Sequence, residues 1–255
     1  MSTTPPADSL VELAARRQLP HRQFMDHTTV RWIEANRPDL PDAPAYGLQA
    51  ASQRLLDRSA IPVSWMAEPK LADSLHGMRH AIRTAALAAL LAEATSLSEE
   101  DTATLILAAA VHDCRRRHDK DDPGHGARAA LWLTDNADTV WEHFQLTATP
   151  RHIVAAATAV RLHDVPYAAF TADDRMDHVR AEEITDLLKA ADALDRYRQP
   201  KLSWWPDGGL VRAAAFDALR AVAYELVVAS ETAHLAGLDN AGSVFKALKQ
   251  QGLVS

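Results

Sequence analysis

The stretch Thr104-Leu105-Ile106-Leu107-Ala108-Ala109-Ala110-Val111-His112-Asp113 decides the fold. It reads as an apolar helix whose polar end delivers an imidazole and a carboxylate side by side. Upstream, Ser98 is an N-cap residue followed by Glu99, Glu100 and Asp101 in the first turn, where acids favour the helix dipole. Outward from here the pattern persists. Alanine, leucine and arginine dominate, glycine is scarce, and no alternating strand pattern of useful length appears.

The sequence therefore predicts an all-α protein, a single helical bundle with extra N- and C-terminal helices. Candidate helices span 8–18, 22–36, 46–58, 70–95, 99–117, 124–135, 137–145, 150–163, 175–196, 209–235 and 241–251. Thr149-Pro150 marks one start and Gly237 one stop. Linkers fall at 37–44, which carries three prolines, at 119–126 and at 199–209. The expected division is a flexible N-terminus (1–9), a helical extension (10–69), a core (70–200) and C-terminal helices packing on it (201–255).

Composition bounds the function. At 47% hydrophobic and 24% charged, the chain is neither disordered nor collagenous, and 255 residues bury one sizeable core. The single cysteine, Cys114, excludes a disulfide scaffold and fits a reducing cytoplasm, the expected location. No basic-then-apolar leader and no membrane span is expected: Arg83 interrupts 81–94, and 103–111 is too short. A net charge of −7 argues against sequence-independent nucleic-acid binding and leaves a small anionic substrate open. The stretch Val211 to Ala233 reads either as a core helix or as half of a homodimer interface.

A lone His-Asp pair usually closes a helix end. Here it is joined, in order, by His80, His125, His163 and Asp192, each in an otherwise apolar or alanine-rich segment. Imidazole nitrogen and carboxylate oxygen suit borderline divalent ions, and apolar surroundings make unpaired charges costly.

This ordered set resembles the HD-domain metalloenzymes, all-helical proteins mostly known as phosphohydrolases. The family's H…HD…D motif maps onto His80, His112-Asp113 and Asp192, the last within Ala191-Asp192-Ala193-Leu194-Asp195. The two-metal subset adds two histidines, whose places His125 and His163 fill. The resemblance covers roughly 72–200. It is nearest an uncharacterised bacterial group with HG…H…R, HD…R and DP.HG, here His76-Gly77, His80, Arg83, His112-Asp113, Arg116 and Asp122-Pro123-Gly124-His125-Gly126. The short gap from Asp113 to His125, with no GYP tripeptide after it, separates the chain from the cyclic-dinucleotide phosphodiesterases.

The resemblance implies one ion on His80, His112, Asp113 and Asp192, and a second on His125 and His163 with Asp113 bridging. Two ions roughly 3.5–4 Å apart acidify a water and clamp a phosphoryl oxygen. The implied activity is hydrolysis of a small phosphate ester by a metal-bound hydroxide, with iron, manganese, cobalt, nickel or zinc. The same ligands serve a minority of members as a mixed-valence di-iron oxygenase that cleaves C–C or C–P bonds with dioxygen. His76, four residues before His80, reads as sharing its helix face, as a proton donor or phosphate contact. His118 reads as a substrate residue or a loop histidine. Arg83 and Arg116 stand one turn beyond ligands as anion contacts, or in ion pairs, and Arg196, Arg198 and Lys201 as entrance residues. Trp204-Trp205 reads as a stacking pair or as loop packing, and Cys114 as a core residue.

Overall fold

The structure, a computed structural model, describes residues 8–40 and 47–255, and among them is helical with no strand. Three short helices come first: α1 (Leu10–Ala15), α2 (His27–Ala35) and α3 (Ala50–Leu56). The central part runs α4 (Met78–Ala94), α5 (Glu99–Val111), α6 (His125–Asp135), α7 (Ala137–His143), α8 (Pro150–Leu162), α9 (Ala172–Arg180) and α10 (Glu182–Leu194). α11 (Phe216–Leu235) and α12 (Asn240–Gln250) close the chain.

The caps explain the boundaries. The Ser98 hydroxyl accepts the Asp101 N–H, and Thr149 does the same for His152 ahead of Pro150. Ser9 closes a capping box with Glu12, so the tail expected over 1–9 is ordered at Ser9; residues 1–7 lie outside the described residues. The proposed start at 46 and the second half of the proline linker (41–44) do too. Several expected boundaries shift: the helices expected over 8–18 and 46–58 shorten to Leu10–Ala15 and Ala50–Leu56, and the 22–36 helix starts only at His27, after its cap Asp26. The 70–95 helix starts only at Met78, because Gly77 carries the chain past the Leu71 and Ala72 carbonyls, where a Cβ would sit 2.3 and 2.4 Å from their oxygens. The 99–117 helix stops at Val111, and the 209–235 helix begins at Phe216. The 175–196 helix is two helices, broken at Ala181 (φ −133°).

α4 is buried from Met78 to Ala92, its first turns carrying the buried Arg79, His80 and Arg83, and α5 is buried from Thr102 to Val111, as befits a largely apolar helix. They pack against each other, and α10 crosses both and α8, while α6 packs on α8. Alanines on α4 and α5 (Ala85, Ala86, Ala89, Ala108, Ala109) are fully buried and let the helix axes approach closely. The apolar face of α11 is covered within the chain by α12, α4, α2 and α10, which makes it a core helix. Tyr224 on α11 donates its hydroxyl to the Ile33 carbonyl of α2. Helices from before α4 and after α10 thus pack on the central ones.

Candidate metal centre

Five helices bring their ends to one place. α4 supplies His80 from its first turn, and α6 supplies His125 as its first residue. His112 and Asp113 follow the last turn of α5, His163 follows α8, and Asp192 lies in the last turn of α10. Helix C-termini carry partial negative charge, so three of the five ends favour a cation.

All six expected ligands converge. His80 Nε2 and His112 Nε2 are 3.0 Å apart. Asp192 Oδ1 lies 3.4 Å from His80 Nε2 and 4.0 Å from His112 Nε2. Asp113 Oδ2 lies 3.6 and 3.9 Å from the same two nitrogens. On the other side His125 Nε2 and His163 Nε2 are also 3.0 Å apart, and Asp113 Oδ1 lies 3.0 and 3.5 Å from them. One carboxylate therefore offers an oxygen to each histidine pair. His80, His112 and Asp192, and likewise His112, Asp113 and His163, place donor atoms within 4.8 Å of one another, a spacing that a metal ion spans.

The opposite ring nitrogens fix the tautomers. Nδ1 of His112, His125 and His163 lies 2.7, 2.9 and 2.7 Å from the carbonyls of Ala109, Asp122 and Val160. A carbonyl only accepts, so these Nδ1 atoms carry the protons. His80 Nδ1 lies 2.8 Å from Asp195 Oδ2. The four Nε2 lone pairs thus face inward in two pairs, and Asp113 Oδ1 is buried without a hydrogen bond. Such a set of inward lone pairs around an unsatisfied carboxylate oxygen could hold a metal ion.

Titration follows the same division. Burial, with Arg198 beside it, holds His80 far below the ordinary histidine value, and burial lowers His112. Burial would raise Asp113 and Asp192, but neighbouring arginines and histidines overcome it and hold both well below the carboxylate range. His125 differs: burial lowers it, yet Asp113 more than offsets this and its pKa is raised.

Behind the ligands stand residues not singled out from sequence. Asp195, fully buried, takes Arg83 Nε at 2.5 Å and Nη2 at 3.0 Å. Glu231, from α11, takes Arg83 Nη1 at 2.6 Å and Arg79 Nε at 2.9 Å. Arg83 is therefore no substrate contact: it is wholly buried and holds Asp195, which orients His80. On the other side Gly126 lets α6 meet α8, since a Cβ there would lie 2.7 Å from the Val160 oxygen and 3.1 Å from the His163 ring. The only sequence signals were the second acid of Asp192-Ala193-Leu194-Asp195 and a lone glutamate, Glu231, on the apolar face of α11.

A cavity of about 500 Å³ opens onto Asp113, His125, His163 and Asp192. Arg116 lines it as expected, with Nη1 3.2 Å from His125 Nε2 and 3.5 Å from Asp113 Oδ1. Arg196 is exposed at the cavity, in an entrance position. Arg198 is a buried wall instead: Nε donates to the Leu75 carbonyl and Nη2 lies 3.4 Å from His80 Nε2. His76 lines the cavity but precedes α4, so it does not share a helix face with His80. Its Nδ1 meets Asp119 Oδ1 at 3.0 Å, and burial, then Arg116, push its pKa down to about 4. His118 stays outside the cavity lining, its ring edge-on to His21 at 4.9 Å. The tryptophans part company: Trp204 lines the cavity, while Trp205 packs on Trp32 and Tyr197. Cys114 is buried with its thiol pushed up by desolvation, as befits a core residue.

Comparison with protein-family models, curated proteins and solved structures gives no match to this chain. Among the described residues no helix is long and apolar enough to cross a membrane.

Proposed function

We propose that the chain is a metal-dependent hydrolase of a small phosphate ester, built on an HD-type dinuclear centre. The observation that carries this reading is Asp113, which offers one oxygen to each of two inward-facing histidine pairs at the floor of the cavity. His80, His112, Asp113 and Asp192 would hold one divalent ion; Asp113, His125 and His163 a second. Bound there, the ions supply Lewis acidity toward phosphoryl oxygens and lower the pKa of a water.

The protein's own groups do the rest. Arg116 and Arg198 flank the donor set and suit the non-bridging oxygens of a phosphoryl group. Lys120 and Arg196 add positive charge to the wall. His76 is neutral at pH 7 and spends Nδ1 on Asp119, so its Nε2 serves as a proton or hydrogen-bond acceptor, in place of the donor role read from sequence.

Four imidazoles and two carboxylates take iron as readily as manganese, so the test begins with metal. The protein is purified without chelator, its metal counted by elemental analysis, and phosphate release measured over a panel of esters. Two manganese, cobalt, nickel or zinc ions per chain with phosphate release is the expected result. Two irons with a mixed-valence spin-resonance signal, oxygen uptake on phosphonates or polyols and no phosphate release replace hydrolysis with oxygenation. No metal after reconstitution overturns both.

A further inference from the structure

A second compartment of about 350 Å³ adjoins the cavity, and Lys120, Gln199 and Trp204 line both. Its outer wall comes from the segment after α1, which contributes Arg17 and Leu19, and from the loop after α10, which contributes Lys201. Among the described residues, no carboxylate lies within ion-pair distance of Arg17, Lys120 or Lys201. Lys201 Nζ stands 4.4 Å from the centre of the Trp204 ring. Two carboxylates share the wall. Asp119 is spent: it accepts the Gln23 and His76 N–H groups and the Ser74 hydroxyl, and it faces His76 Nδ1. Asp119 and Asp121 stand against three cations, which leaves the wall one charge positive. A net positive hollow in a chain of net charge −7 is a local arrangement, not a reflection of composition.

Its supports are built. Arg17 sits at φ +59°, in the left-handed position that follows a helix end and usually takes glycine. The Gln23 N–H bond to Asp119, and the Asp119 N–H bond to the His21 carbonyl, pin the segment to the core beside the cavity.

We propose that this compartment is a subsite for a second anionic group on the substrate. It rests on the hydrolase reading of the adjoining centre. The substrate class is then a phosphate ester whose alcohol part carries a carboxylate or another phosphate. The phosphoryl group to be cleaved lies over Asp113, the middle of the molecule lies along Trp204 and Leu19, and the far anion meets Arg17, Lys120 and Lys201. Hydrolysis adds water across the P–O bond and releases phosphate and an alcohol that keeps its charge.

The test compares phenyl phosphate, 4-carboxyphenyl phosphate and 1,4-phenylene bisphosphate on the metal-loaded full chain, in wild type and in the double variant Arg17→Ala/Lys201→Ala. The wild type is expected to prefer either or both doubly anionic esters by about tenfold in kcat/KM, through KM, and to lose part of that preference as salt rises. The double variant is expected to bring the ratio below about threefold. Preference for only one of the two identifies the far group as carboxylate or phosphate. An equal ratio in wild type and variant, or no preference in wild type, overturns the subsite. Calorimetric binding of 4-carboxybenzylphosphonate against benzylphosphonate reads the same subsite without turnover. Selective binding that the variant loses, with no ester hydrolysed, overturns hydrolysis and leaves the subsite standing. Equal binding overturns the subsite whether or not esters are cleaved.

Discussion

The two halves of the donor cluster share Asp113 and differ in how their outermost histidine, His80 or His125, is held. In the half of His80, His112 and Asp192, His112 also bonds a carbonyl three residues upstream, but His80 leans on side chains: Asp195 orients it, Arg83 holds Asp195, and Glu231 holds Arg83. The half of His125 and His163 leans on backbone: both rings bond carbonyls three residues upstream, and Gly126 sets the helix approach. The first half is a desolvated network in which every charge depends on its neighbour. The second is a close fit between two helix ends. Electrostatic substitutions should therefore break one half, and steric ones the other.

The largest effect falls where the halves meet. Asp113→Asn is expected to lose both ions and bring phosphate release to background, read by elemental analysis and ester assays. Retention of two ions would show that the histidine pairs suffice alone. Next comes Glu231→Gln, which removes the carboxylate shared by Arg79 and Arg83 and leaves each with one acidic partner, Asp73 and Asp195. Breaking a buried pair costs about 3–5 kcal/mol, seen as a drop of roughly 10 °C in Tm. Glu231 also gives a pH signature. Burial raises its pKa, but Arg79 and Arg83 lower it more, leaving it below the ordinary value. Its contribution to stability is therefore present above about pH 4.5 and is lost as pH falls through the lower folded value. Acid unfolding of Glu231→Gln should lack this limb, and identical acid curves would remove Glu231 from the account.

Gly126→Ala should act on the second half alone, taking metal content from two ions toward one while the network half keeps its ion. Loss of both would mean that the halves do not separate. The smallest effect on metal content is expected for Asp195→Asn, which keeps the shape but weakens the hold on His80. Changes of this kind typically cost about 10–100-fold in metal affinity, measured by chelator competition.

Much of this was legible in the residues. The candidate donors are polar marks on apolar helices, so His112-Asp113 after an alanine run and Asp192 in Ala191-Asp192-Ala193 announced themselves, and the structure gathers all six. What surrounds them was less so. Arg83 sits one turn from His80, and spacing alone cannot distinguish an arginine aimed at a cavity from one aimed at Glu231, 148 positions away. The break at Ala181 was hidden because α9 and α10 each have helix-forming sequence and no proline or glycine parts them. His118 and His76 lie in loops, where helical periodicity says nothing about direction. His76 reaches the cavity only because Gly77 turns the chain.

The reach of the Arg79–Glu231 and Arg83–Glu231 pairs bears on how the chain acquires its shape. The His125–His163 pair closes over 38 positions, whereas the glutamate that secures the other half lies 152 positions from Arg79. Distant contacts bear a larger loop-closure entropy and tend to form late. Refolding followed by pulsed hydrogen exchange should therefore protect the amides of α6 and α8 before those of the Arg83 turn. An early partly folded species would then carry two of the six donors already in register and the buried arginines still in water.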